Sequence, residues 1–269
     1  MSEPGSQADA ERRFGALRRL YGDAGYARLR AARVAVVGLG GVGSWAAEAL
    51  ARCGVAELVL IDLDQVAESN INRQVQALGR SIGQSKAQSL AERLADIHPS
   101  CKIAPVEEFV DVHNWPALLP GAIDALIDAC DQVRAKAVMA AWALAQPGLH
   151  HVCVGAAGGR ARAQDVEVED LASVTHDALL ASLRQRLRRD AAVVRSGRSG
   201  VRCVFSREAV AAGATPASAA PGMPLACHGY GSSVTVTATF GMVAAGEIIA
   251  SIVRTGAKAQ AEERPVASL

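Results

Sequence analysis

The chain has 269 residues, of which half are apolar and 4% aromatic, and its formal net charge is +1. This length is compatible with one large α/β domain, and the near-neutral charge excludes binding of nucleic acid through bulk charge alone. The six cysteines are scattered without a Cys-x-x-Cys pair, which argues against structural zinc. The first ten residues are polar and small, which predicts no signal peptide and a cytoplasmic protein with free thiols.

Apolar runs alternate with helical stretches in the first 155 residues, which predicts parallel βαβ units. We therefore expect an α/β fold with a Rossmann-like, mostly parallel sheet flanked by helices, and a less regular C-terminal part. The predicted strands cover residues 33–37, 58–63, 102–106, 125–129, 151–155 and 165–168. The predicted helices cover residues 44–53, 84–97, 134–145 and 177–189.

The chain is predicted to form a single Rossmann-like domain over residues 11–256, with disordered tails at 1–10 and 257–269. This domain contains a basic segment at 177–208 and a mobile loop at 209–224 that is rich in Ala, Pro, Gly and Ser. Residues 234–253 are apolar and long enough to span a membrane. Their alternating threonines favour a strand or turn that leads into a buried helix, so membrane contact is not expected.

A glycine-rich loop follows the first predicted strand and opens a predicted helix. Gly38, Gly40 and Gly43 match G-x-G-x-x-G, with Gly41 between them. The first glycine permits a tight turn, the second lets backbone approach phosphate, and the third allows close packing of helix on strand. Asp62 ends the second strand, where an acidic residue can hold ribose hydroxyls. The loop therefore predicts a nucleotide site.

A second group of polar residues favours a triphosphate over a dinucleotide. Arg73 can fork onto phosphate oxygens and Lys86 can add a point charge, although each taken singly is more often a surface residue. Asp131 follows the fourth strand and can hold Mg²⁺. Asp128 is a second carboxylate three residues earlier, and its alternative role is to cap the turn after the strand. The remaining candidates for nucleotide binding are Asp64, Asn70, Asn72 and Gln74.

These motifs occur in the order glycine loop, Asp-Leu-Asp at 62–64, Ser-Asn-Ile-Asn-Arg-Gln at 69–74, Lys86, and Asp-Ala-Cys-Asp at 128–131. In this order they resemble the adenylylating domain of the ubiquitin-activating-enzyme superfamily, which includes the bacterial sulfur-carrier adenylyltransferases. Further stretches at residues 13–14, 19–22, 43–52, 155–159 and 237–241 resemble the tRNA threonylcarbamoyladenosine dehydratase subfamily. The sulfur-carrier enzymes often hold zinc on paired cysteines, which this chain lacks.

The resemblance implies an enzyme that uses ATP and Mg²⁺ to transfer AMP to the threonine carboxylate of threonylcarbamoyladenosine in tRNA. Pyrophosphate is released, and the activated acyl group is then attacked from within the modification, which closes a ring with net loss of water. In this scheme Asp131 holds Mg²⁺, and Arg73 and Lys86 neutralise phosphate charge.

The resemblance also implies a homodimer, because an N-terminal arginine of the superfamily reaches the γ-phosphate across the dimer interface. Arg19 is the first candidate, followed by Arg13, and Arg18 stays open. A monovalent cation near the glycine-rich turn at 155–159 belongs to the same set of expectations.

The basic segment is the electrostatic pattern expected of a protein that binds a phosphate backbone. A solvated helix face is the alternative, but with the resemblance we expect contact with tRNA. The candidate tRNA-binding residues are Arg184, Arg186, Arg188, Arg189, Arg195 and Arg198. Few aromatic residues accompany them, so base stacking is not indicated.

Three other functions compete with this prediction. An adenylyltransferase for a ubiquitin-like sulfur carrier would form a stable complex with a small protein that ends in Gly-Gly. A nucleotide-binding scaffold that partners a cysteine desulfurase system would bind ATP without releasing pyrophosphate. An NAD dehydrogenase ranks last, because it leaves the Asn-Arg-Gln run at 72–74 unexplained.

Overall fold

The structure is a computed structural model that describes residues 9–190, 192–193, 196–210 and 230–254. The elements of this described part are, in chain order, α1 (Ala10–Ala31), β1 (Arg33–Val37), α2 (Gly43–Arg52), β2 (Glu57–Ile61), α3 (Lys86–Ile97), β3 (Lys102–Val106), β4 (Ala125–Asp128), α4 (Val133–Leu144), β5 (His150–Val154), β6 (Val166–Asp170), α5 (Ala178–Arg189), β7 (Arg202–Ser206) and α6 (Val234–Arg254). Each predicted helix and strand agrees with its observed counterpart to within two residues.

The seven strands form one sheet in the order β3-β2-β1-β4-β5-β7-β6. Every neighbouring pair is parallel except β6 with β7, which confirms the prediction of a Rossmann-like, mostly parallel sheet. The chain winds outward from β1 to β3 and then returns to place β4 on the other side of β1. This change of direction is a topological switch point, which opens a crevice at the carboxyl ends of β1 and β4.

Helices cover both faces of the sheet. Successive residues of a strand point to opposite sides, so apolar side chains of one strand are buried on both faces. Val34 and Val36 of β1 belong to a buried cluster that includes residues of α1, α2, α3 and α6. Ala35 and Val37 of the same strand pack with Met139 of α4 on the opposite face. Burial on both sides explains why the central strands read as continuous apolar runs.

Helix α1 was not predicted from the sequence. Asp9 caps its first turn by accepting hydrogen bonds from the backbone N–H groups of Glu11 and Arg12 at 2.9 and 3.2 Å. Gly22, with φ of +69°, breaks the helix into two parts. Asp9 and Ala10 therefore belong to an ordered helix start, which corrects the predicted tail at 1–10. Residues 1–8 and the predicted tail 257–269 lie outside the described residues.

Helix α6 begins at Val234, so the threonine-rich entry predicted as a strand or turn is helical from its start. The Thr237 backbone N–H and hydroxyl both donate to the Ser233 carbonyl oxygen, at 3.0 and 3.2 Å. The helix is long and apolar enough to cross a membrane, but half of its most apolar stretch is buried inside the protein. Residues such as Phe240 and Ile248 pack in the core, which agrees with the predicted buried helix.

The sheet extends beyond the predicted strands through β7, which pairs parallel to β5 and antiparallel to β6. Residues 209 and 210 follow β7, and the rest of the predicted mobile loop lies outside the described residues. The basic helix α5 lies in the connection between β6 and β7. It packs against α4 on one face of the sheet, where Leu180 and Leu183 are fully buried.

Candidate nucleotide-binding site

The glycine loop connects β1 to α2 in a shape that side chains would prevent. Gly38 has φ of +84°, and a Cβ atom on it would lie 2.8 Å from the backbone nitrogen of Cys130. A Cβ atom on Gly43 would lie 1.9 Å from the Gly38 carbonyl oxygen. Gly43 thus does not line the cleft but allows the close packing expected of the third glycine, while Gly40 has open space around it.

Asp62 orders the glycine loop directly. Its two carboxylate oxygens accept hydrogen bonds from the backbone N–H groups of Leu39 at 2.6 Å and Asp64 at 2.9 Å. Burial raises the pKa of the Asp62 carboxyl, although Lys86 and the two N–H donors oppose this rise. In this structure the carboxylate therefore joins the end of β2 to the loop, and it also lines the cleft where a ribose hydroxyl was expected.

One cleft at the carboxyl ends of β1, β2 and β4 collects most of the predicted nucleotide-binding residues. Its lining contains Gly38, Gly40, Gly41, Asp62, Asp64, Asn70, Arg73, Gln74, Lys86 and Asp131. The cleft thus brings these residues together from segments that are up to 93 positions apart in the sequence. The position also agrees with the general rule that α/β sheets bind ligands at the switch point.

Arg73 is held in place before any ligand binds. Its Nη1 donates to the Ser69 carbonyl oxygen at 2.8 Å and to Asn72 Oδ1 at 2.9 Å. Its own carbonyl oxygen accepts a hydrogen bond from Trp45 Nε1 at 2.9 Å. Asn72 does not line the cleft, and its Nδ2 donates to Ser232 at 2.9 Å. Asn72 therefore orients Arg73 in this structure rather than facing a ligand.

Lys86 begins α3 and is almost fully buried, with its ammonium 2.7 Å from Asp64 Oδ2. Ser85 caps the same helix end by accepting a hydrogen bond from the Gln88 N–H. A lysine at the first helical position, paired with a carboxylate at the cleft, is a point charge with a fixed location. The arrangement suits an anion such as phosphate, which can replace the carboxylate as the partner of the ammonium or share the ammonium with it.

Asn70 and Gln74 flank Arg73 on the cleft wall and are both buried. Asn70 Oδ1 accepts a hydrogen bond from the Ala67 N–H at 3.0 Å, which leaves its amide N–H₂ group as the donor. Gln74 Oε1 accepts from Gln76 Nε2 at 3.4 Å. Both side chains therefore have donor groups that a phosphate or ribose oxygen can use.

Asp131 is exposed at the cleft, and no hydrogen bond or ion pair joins its side chain to another described residue. Within the described ranges no three His, Cys, Asp or Glu side chains cluster as a metal site. Mg²⁺ commonly takes one or two carboxylates and completes its shell with phosphate oxygens and water. A single free carboxylate beside a phosphate-binding loop fits that chemistry.

The sequence analysis missed an apolar wall that follows β3. Phe109 lines the cleft with 48% of its surface exposed, and Val110 lies beside it. Such a wall suits a flat heteroaromatic ring. The position after a strand at the carboxyl edge of the sheet was the available signal, but the run Glu-Glu-Phe-Val at 107–110 carries no motif.

The glycine-rich turn 155–158 follows β5 and also lines the cleft. Because β4 lies between β1 and β5 in the sheet, this turn and the glycine loop stand on either side of the end of β4. Asp177, which caps α5 through the Leu180 N–H at 2.9 Å, accepts a second hydrogen bond from the Ala156 N–H at 2.8 Å. A Cβ atom on Gly155 would lie 2.2 Å from the same carboxylate. This contact fixes the turn against the start of the basic helix.

The predicted N-terminal arginine lies away from the cleft of its own subunit. Arg19 is exposed on α1 and has no hydrogen bond or ion pair with another described residue. Arg13, by contrast, donates to the carbonyl oxygens of Asp96 and Ile97, and Arg18 pairs with Glu11 and Asp23. Of the three candidates, Arg19 alone is unengaged within the described part of the chain.

The basic segment divides into inward and outward arginines. Arg184 donates to the carbonyl oxygens of Leu171 and Val174 at 3.0 and 2.8 Å, so its guanidinium is used within the fold. Arg186 and Arg189 pair with Asp190, while Arg188 is half-buried. Arg189 and Arg198 are exposed, and Arg195 lies outside the described residues.

The open space around Gly40 makes a direct test of the cleft possible. Gly40→Ala should leave the melting temperature unchanged, because its Cβ atom would meet no protein atom within 4 Å. The same methyl group should lower ATP affinity about tenfold or more by occupying the space where backbone approaches phosphate. Calorimetric titration with ATP measures this effect.

Gly43→Ala is the matched control, since the same added methyl group would strike the Gly38 carbonyl oxygen inside the loop. This variant should lose thermal stability as well as ATP affinity. Undiminished ATP binding by the Gly40→Ala protein would contradict the placement of phosphate at this loop.

The family model described as "ThiF family" matches residues 14–267. The chain is 40% identical over 256 residues to the tRNA threonylcarbamoyladenosine dehydratase of Escherichia coli (strain K12), covering 91% of this chain and 95% of that protein. It is 34% identical to the dehydratase of the same name from Haemophilus influenzae, covering 91% and 94% of the two chains.

Solved structures agree with the sequence comparison. The E. coli tRNA N6-threonylcarbamoyladenosine dehydratase in complex with ATP matches with a TM-score of 0.83 and 39% identity, over 93% of this chain and 98% of that chain. The E. coli molybdopterin-synthase adenylyltransferase is 37% identical, but the match covers only 42% of this chain and 45% of that protein. The chain therefore belongs to the ThiF family, and within it to the tRNA threonylcarbamoyladenosine dehydratases.

Proposed function

We propose that this chain uses ATP to adenylylate the threonine carboxylate of threonylcarbamoyladenosine in tRNA, which leads to cyclisation of the modification. One observation carries the proposal. A single cleft brings the glycine loop, Arg73, Lys86 and Asp131 together in a chain that resembles a dehydratase of that name over 95% of the dehydratase's length.

The reaction consists of two bond exchanges. A carboxylate oxygen of the substrate attacks the α-phosphorus of ATP, the bond from that phosphorus to the bridging oxygen breaks, and pyrophosphate leaves. A nucleophile within the modification then attacks the activated acyl carbon, gives up a proton, and expels AMP. One carboxylate oxygen leaves with AMP, so the nucleoside loses the elements of one water.

The cleft residues act on the phosphates by position and charge. The N–H groups at the start of α2 face an anion, as helix N-termini do. Arg73 and Lys86 supply positive charge at fixed places, so little reorganisation is needed when negative charge develops on the leaving pyrophosphate. Holding the substrate carboxylate near the α-phosphorus contributes the rest of the rate acceleration through proximity.

Asp131 is the residue we propose for Mg²⁺, because its carboxylate is exposed at the cleft and free of protein partners in the described structure. A bound Mg²⁺ would neutralise phosphate charge and favour departure of pyrophosphate. The related E. coli dehydratase has been solved in complex with ATP, which supports ATP as the nucleotide.

The proposed function is tested by pyrophosphate release from ATP and Mg²⁺ in the presence of tRNA with or without threonylcarbamoyladenosine. We expect release only with the modified tRNA, together with an 18-dalton loss of mass from the nucleoside. Lys86→Met should lower the rate about 10²- to 10³-fold, as removal of one charge-stabilising group does. Release that is independent of tRNA modification would contradict the proposal.

The sulfur-carrier function shares the nucleotide chemistry and differs in its acceptor. Its relative matches 42% of this chain. Pyrophosphate release that requires a small protein ending in Gly-Gly, and not tRNA, would favour this alternative.

We further propose that the active unit is a homodimer in which Arg19 reaches the cleft of the partner subunit. Its exposure on α1, its absence from the lining of its own cleft and its lack of an ion pair among the described residues support this role. Neither Arg13 nor Arg18 is free in the same way.

Mixed dimers test whether Arg19 acts between subunits. Arg19→Ala and Lys86→Ala should each abolish most activity alone, whereas co-refolding or co-expressing the two should restore about a quarter of the wild-type rate, since half of the dimers would carry one intact site. An arginine that acts within its own subunit would leave the mixture as inactive as either variant.

We propose the outward arginines of α5 and the following segment as the tRNA surface. Arg189 has 67% of its side chain exposed and Arg198 is exposed beyond the helix. The inward Arg184 is unsuited to such contact, and Arg186 and Arg189 would exchange Asp190 for phosphate. The proximity of α5 to the turn 155–158 places this surface on an element that touches the cleft.

Replacement of Arg186 and Arg189 by Ala should weaken tRNA binding and reduce the slope of log affinity against log salt by about 2, about 1 for each lost phosphate contact. Titrations of labelled tRNA at several salt concentrations measure both quantities. Arg52→Ala/Arg80→Ala removes the same charge near the end of α2 and from the connection before α3, away from α5, and should leave the slope unchanged. Equal slopes for both double variants would contradict the proposed surface.

The cytoplasmic location, a monovalent cation near the turn 155–159 and a cysteine desulfurase partner are predictions from the sequence and its resemblance. The boundaries of the domain at residues 11–256 are likewise predictions from the sequence.

A further inference from the structure

A buried ion pair at the carboxyl ends of β4 and β5 has no part in the roles proposed above. Lys136 of α4 and Asp128 of β4 have no exposed side-chain surface, and the Lys136 ammonium lies 3.0 Å from Asp128 Oδ1. Neither residue lines the cleft. Charges removed from water in this way are unfavourable unless they are paired and fully hydrogen-bonded.

Lys136 satisfies that condition by joining two strand ends. Its ammonium donates to Asp128 Oδ1 at 3.0 Å, to the Asp128 carbonyl oxygen at 3.3 Å and to the Val154 carbonyl oxygen at 2.7 Å. These three oxygen acceptors match its three protons, and Cys153 Sγ makes a fourth contact at 3.6 Å. Burial is the largest influence and disfavours the charged form, but the charge and hydrogen bond of the Asp128 carboxylate, with the neighbouring Cys153 and Cys130, together outweigh burial. The pKa of Lys136 is therefore raised and the ammonium stays charged.

Asp128 in turn fixes the backbone that follows β4. Its Oδ1 accepts hydrogen bonds from the backbone N–H and the thiol of Cys130, at 3.3 and 3.1 Å. Its Oδ2 accepts from the Cys153 thiol at 3.5 Å. The carboxylate therefore has partners on α4, on β5 and in the turn that leads to Asp131.

The two strand ends that Lys136 joins continue into two walls of the cleft. After Asp128 the chain runs through Ala129 and Cys130 to Asp131, and after Val154 it runs into the glycine-rich turn 155–158. Both segments line the cleft. The Lys136 ammonium thus donates a hydrogen bond to each of the two strand ends that lead into these walls.

We propose that Lys136 and Asp128 are a positioning pair that sets the spacing between the Asp131 turn and the glycine-rich turn 155–158, and with it the alignment of the reacting groups. This inference rests on the adenylylation proposed above. The pair touches no substrate and acts through the two turns. Misplacement of reacting groups by about 1 Å can cost about 100-fold in rate, so a lost link should appear in catalysis rather than in ATP binding by the glycine loop.

Single replacements cannot separate positioning from folding. Lys136→Met leaves the buried Asp128 carboxylate unpaired, and Asp128→Asn leaves the ammonium without its counter-charge, so both should lower the melting temperature. The double variant Lys136→Met/Asp128→Asn removes both charges and keeps an amide oxygen for the Cys130 N–H. Neutral replacement of a whole buried pair is often tolerated. What the double variant lacks is the link to the Val154 carbonyl oxygen.

The experiment compares the melting temperature, the ATP dissociation constant and the kcat of pyrophosphate release with modified tRNA for the wild type, both single variants and the double variant. The melting temperature of the double variant should recover most of the loss seen in the singles, with ATP affinity within about threefold of wild type. Its kcat should nevertheless stay about 10- to 100-fold low.

Lys102→Met/Glu57→Gln is the control for loss of a lysine–carboxylate pair away from the cleft, because it neutralises a more exposed pair 3.1 Å apart at the amino ends of β2 and β3. It should leave kcat unchanged. Recovery of both melting temperature and kcat in the Lys136/Asp128 double variant would overturn the proposal and make the pair purely structural. A double variant as unstable as the singles would also overturn it. An inactive wild type would instead contradict the proposed function itself.

Discussion

The close approach of two backbone segments between β1 and β4 is the constraint on which the rest of the site depends. A side chain on Gly38 would lie 2.8 Å from the backbone nitrogen of Cys130, and one on Gly43 would strike the Gly38 carbonyl oxygen. These contacts bring the start of α2 to the end of β4. Anion-binding N–H groups and the Asp131 carboxylate therefore face the same cleft, as nucleotide transfer with a metal ion requires.

The charges of the cleft are held in place by neighbouring polar groups. Arg73 is oriented by Ser69 and Asn72, and Lys86 by Asp64. Fixed donors stabilise developing charge without reorganisation, which is the largest contribution that a protein makes to this kind of chemistry. The same principle extends below the cleft, where the buried Lys136 ammonium joins the strand ends that carry Asp131 and the turn 155–158.

The parallel sheet and most of the cleft could be predicted because their signals are local: apolar runs, glycine spacing and a strand before a helix. Helix α1 was missed because only four of its 22 residues are buried, so its apolar periodicity is weak. Phe109 lacks a motif and reaches the cleft only through the strand order. The inward position of Arg184 is likewise set by tertiary contacts, since its acceptors lie 10 and 13 residues away.

Attack of the substrate carboxylate on the α-phosphorus of ATP would pass one carboxylate oxygen to AMP, so isotope transfer detects this step. The modified tRNA is prepared with oxygen-18 in the threonine carboxylate and incubated with the enzyme, ATP and Mg²⁺. We predict that the AMP released carries one oxygen-18 atom for each nucleoside that cyclises. Unlabelled AMP beside a cyclised product would show that the carboxylate is activated in another way and would rule out adenylylation.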